Sequence, residues 1–179
     1  GGPMSPKGNQ VEIEGRRLRL SNLDKVLYPE AGFTKAQVID YYARIGAVMV
    51  PHLADRPVTM VRWPDEVASQ SFFEKRCPSH APAWMRSAAV WDDLEQCVID
   101  DLPSLIWAAN MAALELHTHQ ARVSSPDRPD SMVFDLDPGA PEEPTLMPGF
   151  AAIGARGKNS KGEAFANYYE FTPCGGRLR

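Results

Sequence analysis

Long apolar runs are missing from this sequence, and so is the apolar core of a signal peptide behind Gly1-Gly2-Pro3-Met4. The first absence argues against a membrane-spanning helix, the second against a cleaved leader. Cysteine is scarce. Cys77, Cys97 and Cys174 are odd in number and far apart, with no CxxC or Cys/His ligand spacing, so no zinc site is signalled. They read as reduced thiols of a cytoplasmic protein. An excess of positive charge is lacking too: the formal charge is −4, unlike a bulk nucleic-acid binder. A local site remains open, because binding depends on where Lys and Arg lie and not on their sum.

What is present suffices for one domain or one and a half, since 44% of 179 residues are hydrophobic and can bury a core. Gly1 to Pro3 read as a cloning remnant and residues 1–10 as a flexible lead. The most informative stretch is Met132-Val133-Phe134-Asp135-Leu136-Asp137-Pro138-Gly139, an apolar strand ending in two carboxylates and stopped by Pro-Gly. Residues i and i+2 of a strand share a face, so Asp135 and Asp137 project side by side. Carboxylates that close repel unless a cation or a shared proton relieves them. Hard divalent ions take such ligands, and phosphoryl-transfer enzymes use them. The plainer alternative is an acidic strand end entering a turn.

Upstream, Val11-Glu12-Ile13-Glu14 and Arg17-Leu18-Arg19-Leu20 alternate around Gly15-Arg16, a hairpin signal. Ser21 to Pro29 reads as a capped turn or short helix. Thr34 is a good N-cap for a helix to about Val50, whose Val38, Tyr41, Tyr42, Ile45, Val48 and Met49 read as a core stripe. Lys35 opens that helix, where backbone N–H groups and the macrodipole favour an anion, so a phosphate between Lys25 and Lys35 is one reading and a solvated lysine pair the other. Pro57 to Pro64 reads as a strand. In Ser71-Phe72-Phe73-Glu74-Lys75-Arg76 one Phe is expected in the core and one exposed, the latter able to stack on a base beside cations, and the other reading is an ordinary strand with a buried Phe and a solvated basic pair. Residues 88–91 and 96–100 read as a strand pair. Ser104 to Ala113 reads as a helix buried nearly all round. Leu114-Glu115-Leu116-His117-Thr118-His119 follows as a strand, with His117 able to stabilise phosphate charge or lying at an ordinary surface.

These residues resemble one family. Leu20 to Pro29, Thr34-Lys35, Phe72-Phe73-Glu74-Lys75, Leu114 to His117 and Phe134 to Gly139 occur in the order and approximate spacing of the polymerase domain of bacterial multifunctional non-homologous end-joining DNA ligases (DNA ligase D), a branch of the archaeo-eukaryotic primase superfamily. The resemblance implies an α/β (α+β) fold with a mostly antiparallel central sheet flanked by helices. It implies a DNA repair nucleotidyltransferase acting at gaps or breaks, with nucleoside triphosphates as substrates and Mn2+ or Mg2+ held by Asp135 and Asp137, which would also be the catalytic carboxylates. By the same resemblance Lys25 and Lys35 grip a 5′-phosphate, Phe72 or Phe73 stacks on the template with Lys75 beside it, and His117 meets the nucleotide. Partners would be DNA ends, a ligase and a Ku-type end-binding protein, in the cytoplasm with the nucleoid.

The match runs from about Val11 to Gly139, giving a primase-polymerase-like region over 11–140 and an atypical tail over 141–179. The family's later half, with a Ser-Lys-Gly triphosphate loop and a third metal carboxylate, is not recognisable there. Ser160-Lys161-Gly162 only echoes the loop, and the basic, Gly-rich stretch from Gly154 to Gly162 reads as flexible. The alternative function is therefore a non-catalytic DNA-end-binding module or an inactive truncated domain. Apolar sheet surface left uncovered would be met by the tail or by a second copy, so a homodimer is expected.

Overall fold

The computed structural model describes residues 8–90 and 93–133, and the backbone of residues 151–158 and 164–171. Contacts divide the chain into a unit ending at Ser131 and a unit beginning at Met132.

In the first unit the expected hairpin forms from β1 (Gly8–Ile13) and β2 (Arg16–Ser21). Its turn holds Glu14 at φ 48° and Gly15 at φ 75°, the two positive values whose twist matches antiparallel strands. The next segment takes the turn and not the short helix of the two alternatives. Asn22, at φ 51°, accepts the Lys25 N–H at 3.1 Å, and the chain then runs as β3 (Val26–Tyr28), a 3-10 turn and β4 (Phe33–Thr34), which pairs with β3.

Helix α1 (Lys35–Leu53) begins at the predicted cap: Gln37 N–H donates to Thr34 Oγ1 at 3.4 Å and Thr34 N–H to Gln37 Oε1 at 2.8 Å. Val38, Ile39 and Tyr42 are buried, whereas Tyr41 and Val48 are 47% and 72% exposed, which corrects the predicted stripe. At 3.6 residues per turn these two fall well outside the buried arc that Val38, Ile39, Tyr42 and Gly46 define, by about 60° and 80°.

A five-stranded antiparallel sheet is built on β5 (Pro57–Arg62), with β6 (Phe72–Glu74), β7 (Arg86–Ala88) and β8 (Gln96–Val98) following it. Helix α2 (Leu102–Asn110) then leads into β9 (Ala113–Thr118). β8 and β6 take successive halves of one edge of β5, and β9 takes the other. Helix α2 is capped by Asp101, which accepts the Ser104 N–H at 3.0 Å. Its Leu105, Ile106, Trp107, Ala108 and Ala109 are buried, as an apolar surface all round requires. Gly46 meets α2 so closely that a Cβ there would lie 2.6 Å from Leu102 Cδ1. Tyr42 O–H donates to Ala113 O at 2.9 Å, tying α1 to the start of β9. Among the described residues no helix is long and apolar enough to cross a membrane.

The expectation of three reduced thiols is overturned, because Cys77 and Cys97 form a disulfide with their Cα atoms 4.7 Å apart. The pairing is a consequence of topology. Cys77 N–H donates to Glu95 O at 2.7 Å, which lays the segment after β6 against the entry to β8, and Cys97 is buried there.

In the second unit β10 (Ala151–Lys158) pairs antiparallel with β11 (Ala164–Phe171). The basic, Gly-rich stretch expected to be flexible is thus a strand from Gly154 to Lys158. A β-prone partner in Tyr168, Tyr169 and Phe171 offsets the cost of Gly154 and Gly157. Met132 and Val133, which open the predicted carboxylate strand, are exposed and in no strand. Asp135 and Asp137 lie outside the described residues, as do Ser160, Lys161 and Gly162.

Candidate nucleic-acid interface

The turn before β3 and the first turn of α1 are held together through their backbones: Lys35 N–H donates to Lys25 O at 2.8 Å and Ala36 N–H to Leu23 O at 2.9 Å. With Gln37 N–H given to Thr34, the first three donors of the helix are taken. The expectation that they would receive an anion is corrected. What the helix start retains for an anion is its dipole and the side chain of Lys35.

Lys25 and Lys35 line a cavity of about 190 Å3 together with Asn22, Arg62 and Asn110. Among the described residues no carboxylate lines it. Lys35 is only 5% exposed, and burial, then Lys25, then Arg62 push its pKa down to about 8. Lys25 donates to Pro64 O and, at 3.0 Å, to the exposed Asp65. A surface pair of that kind contributes about 0–1 kcal/mol, so an incoming anion can compete for Lys25. Three cations around one cavity repel one another, and an anion of two charges relieves that repulsion.

Arg62 was not singled out by sequence reasoning. The available signal was the run Val58, Met60, Arg62 on one face of a strand. Its Nε donates to Met111 O at 2.8 Å, its Nη1 pairs with Glu74, and its guanidinium carbon sits 5.0 Å from the centre of the Phe72 ring.

Cross-strand register divides the remaining candidates between two faces. Arg62 pairs with Phe72 and Met60 with Glu74 and Leu116, which puts Phe72 on the helix side of the sheet, at its end. Val61 pairs with Phe73 and Glu115, and Thr59 with His117, so Phe73, Glu115 and His117 share the opposite face. There the rings of Phe73 and His117 are 5.9 Å apart, and His117 Nε2 lies 3.1 Å from Glu115 Oε2. Both phenylalanines are exposed, Phe72 by 42% and Phe73 by 63%, so the expectation of one core ring fails. A three-residue edge strand presents both sides to solvent. Lys75 is exposed beyond it. Among the described residues no three His, Cys, Asp or Glu side chains gather as metal ligands.

A family model described as the LigD primase-polymerase domain matches residues 34–148. The chain is 47% identical over 128 residues to the multifunctional non-homologous end joining protein LigD of Mycolicibacterium smegmatis, covering 69% of this chain and 17% of that protein. It is 35% identical over 123 residues to the bifunctional non-homologous end joining protein LigD of Bacillus subtilis, covering 68% of this chain and 20% of that protein. Among solved structures it is similar to the polymerase domain of Mycobacterium tuberculosis ligase D in complex with DNA, at a TM-score of 0.57 and 40% identity, over 69% of this chain and 40% of that one. The chain thus spans about a fifth or less of the relatives it matches.

Proposed function

The chain belongs to the LigD primase-polymerase family, and from that premise we propose that it recognises DNA gaps or breaks through a 5′-phosphate, as part of a polymerase that processes ends for joining. The observation that carries this reading is the cavity in which Lys35 is buried beside Lys25 and Arg62, with no carboxylate of the described residues lining it. The neighbour's complex with DNA supports it. A terminal phosphate dianion would accept charge-assisted hydrogen bonds from Lys25 and Lys35, each contributing about 1.5–3 kcal/mol. Phe73, exposed beside His117, would stack on a template base, and His117 would donate to a nucleoside triphosphate. Lys75 would follow the DNA backbone.

Two carboxylates one residue apart are hard oxygen donors that suit a hard divalent ion, and Asp135 and Asp137 are the proposed ligands. Mn2+ or Mg2+ held there would activate a primer 3′-hydroxyl and offset charge on the α-phosphate. The second reading is an end-binding module without catalysis, which would keep the phosphate cavity of Lys25, Lys35 and Arg62 but not extend a primer. A ligase, a Ku-type protein and a second copy of this chain are proposed partners of either form.

Affinity for a gapped duplex with and without the 5′-phosphate, measured by fluorescence anisotropy, tests the reading. Wild type should prefer the phosphate by about tenfold or more, and Lys25→Ala with Lys35→Ala should erase the preference without abolishing residual binding. Indifference of the wild type to the phosphate overturns it. Primer extension with ribo- and deoxyribonucleotides in the same samples separates the two forms: extension that Asp135→Ala abolishes supports the polymerase, and phosphate-dependent binding without extension supports the module.

A further inference from the structure

Arg62 stands between the two DNA-binding elements of that reading. It lines the same cavity as Lys25 and Lys35, and its guanidinium lies 5.0 Å from the centre of the Phe72 ring. The side chain is 15% exposed and its partner Glu74 18%. Nε is held by Met111 O and Nη1 by Glu74, while Nη2 makes no hydrogen bond among the described residues. A planar group fixed at two nitrogens cannot rotate without giving up a half-buried pair, so the orientation of the plane is set. The ring beside it belongs to an edge strand that pairs with β5 over three residues only. Phe73, on the opposite face beside His117, has no such support from Arg62.

We propose that Arg62 is a positioning residue that links the phosphate cavity to Phe72: its charge joins those of Lys25 and Lys35 toward a 5′-phosphate, and its plane holds the Phe72 ring as the stacking surface for the base next to that phosphate. The two phenylalanines then serve different places on the DNA. Phe72 works on the downstream side with the phosphate, and Phe73 on the nucleotide side with His117. This inference rests on the 5′-phosphate reading of the cavity.

Charge and planarity separate by substitution, because lysine keeps the first and loses the second. The test uses the full chain and a one-nucleotide-gapped duplex with or without the 5′-phosphate, carrying 2-aminopurine in the template strand opposite the phosphate-bearing nucleotide. Binding of wild type should quench the probe. Arg62→Lys should keep the phosphate preference within about twofold and lose most of the quench, whereas Arg62→Gln should lose the quench and about fivefold or more of the preference. Glu74→Ala, which removes the acceptor that holds the plane and keeps the cation, should behave as Arg62→Lys does. Phe72→Leu should abolish the quench, and adding Arg62→Lys to it should change nothing more.

Wild-type quench and preference in both Arg62 variants would overturn the inference. So would parallel loss of both readouts in Arg62→Lys and Arg62→Gln together with a lowered melting temperature, the result of a purely structural role. If Lys25→Ala with Lys35→Ala leaves the phosphate preference intact, the cavity reading itself fails. If that pair erases the preference while Arg62→Gln spares it, only the role of Arg62 is overturned.

Discussion

Lys35 shows at the scale of one residue how function and stability oppose each other. Its pKa in the folded chain, about 8, lies below the ordinary 10.5 because of burial and the charges of Lys25 and Arg62. Below about pH 8 the group is charged in both folded and unfolded chains, and the fold bears the full cost. Between about 8 and 10.5 the unfolded chain binds more protons than the folded one, so stability rises with pH across that window. Phosphate binding runs the other way, since the dianion needs the ammonium form. The 5′-phosphate preference is therefore expected to be full near pH 7 and to fall as pH passes about 8, with a proton taken up on binding at the higher pH. Lys25 with its partner Asp65, and Arg62 with its partner Glu74, are the neighbouring charges among the described residues, and Lys35→Gln should flatten the profile. Anisotropy titrations from about pH 6.5 to 9.5 check this; a preference unchanged across that range would remove Lys35 from the site. Which lysines to test was legible in the sequence. Arg62 was not, because its place at the cavity depends on the pairing of β5 with β6 and β9.

At the scale of elements, β6 has little support of its own: it pairs with β5 over three residues, and both its phenylalanines face solvent. The Cys77–Cys97 disulfide anchors the chain just beyond it to β8, across a sequence separation of 20. Closing a loop of that length stabilises the folded state by about 3 kcal/mol in the chain-entropy account. Reduction, or Cys97→Ala, should lower the urea midpoint accordingly, with Phe72 and Phe73 becoming more mobile before the helices melt. Unchanged midpoints would show that the bond contributes nothing. Elements whose signals are local were readable in advance: the hairpin at Gly15, the cap at Thr34 and the buried α2. The disulfide was not, because two cysteines give no spacing signal when the contact between them is made by chain topology.

For the molecule as a whole, a formal charge of −4 means that DNA affinity must come from a few placed cations. Lys25, Lys35, Arg62 and Lys75 are the proposed set. Each neutralised phosphate should contribute about 0.9 to the slope of log K against log salt, so a slope of about −3 to −4 is expected, reduced by roughly 2 in the Lys25→Ala, Lys35→Ala chain. A slope near zero, or one the substitutions do not change, would show that other residues carry the binding. The sequence by itself determined the family, the antiparallel α/β class and most of the residues proposed to touch DNA, because strand alternation, helix caps and ordered short motifs are local. Only the tertiary structure decided that Lys35 is buried in one cavity with two other cations, that Phe72 and Phe73 face opposite ways with both exposed, and that Cys77 meets Cys97. Burial, charge coupling and cross-strand register are properties of segments far apart in the chain, and they exist only once those segments are packed.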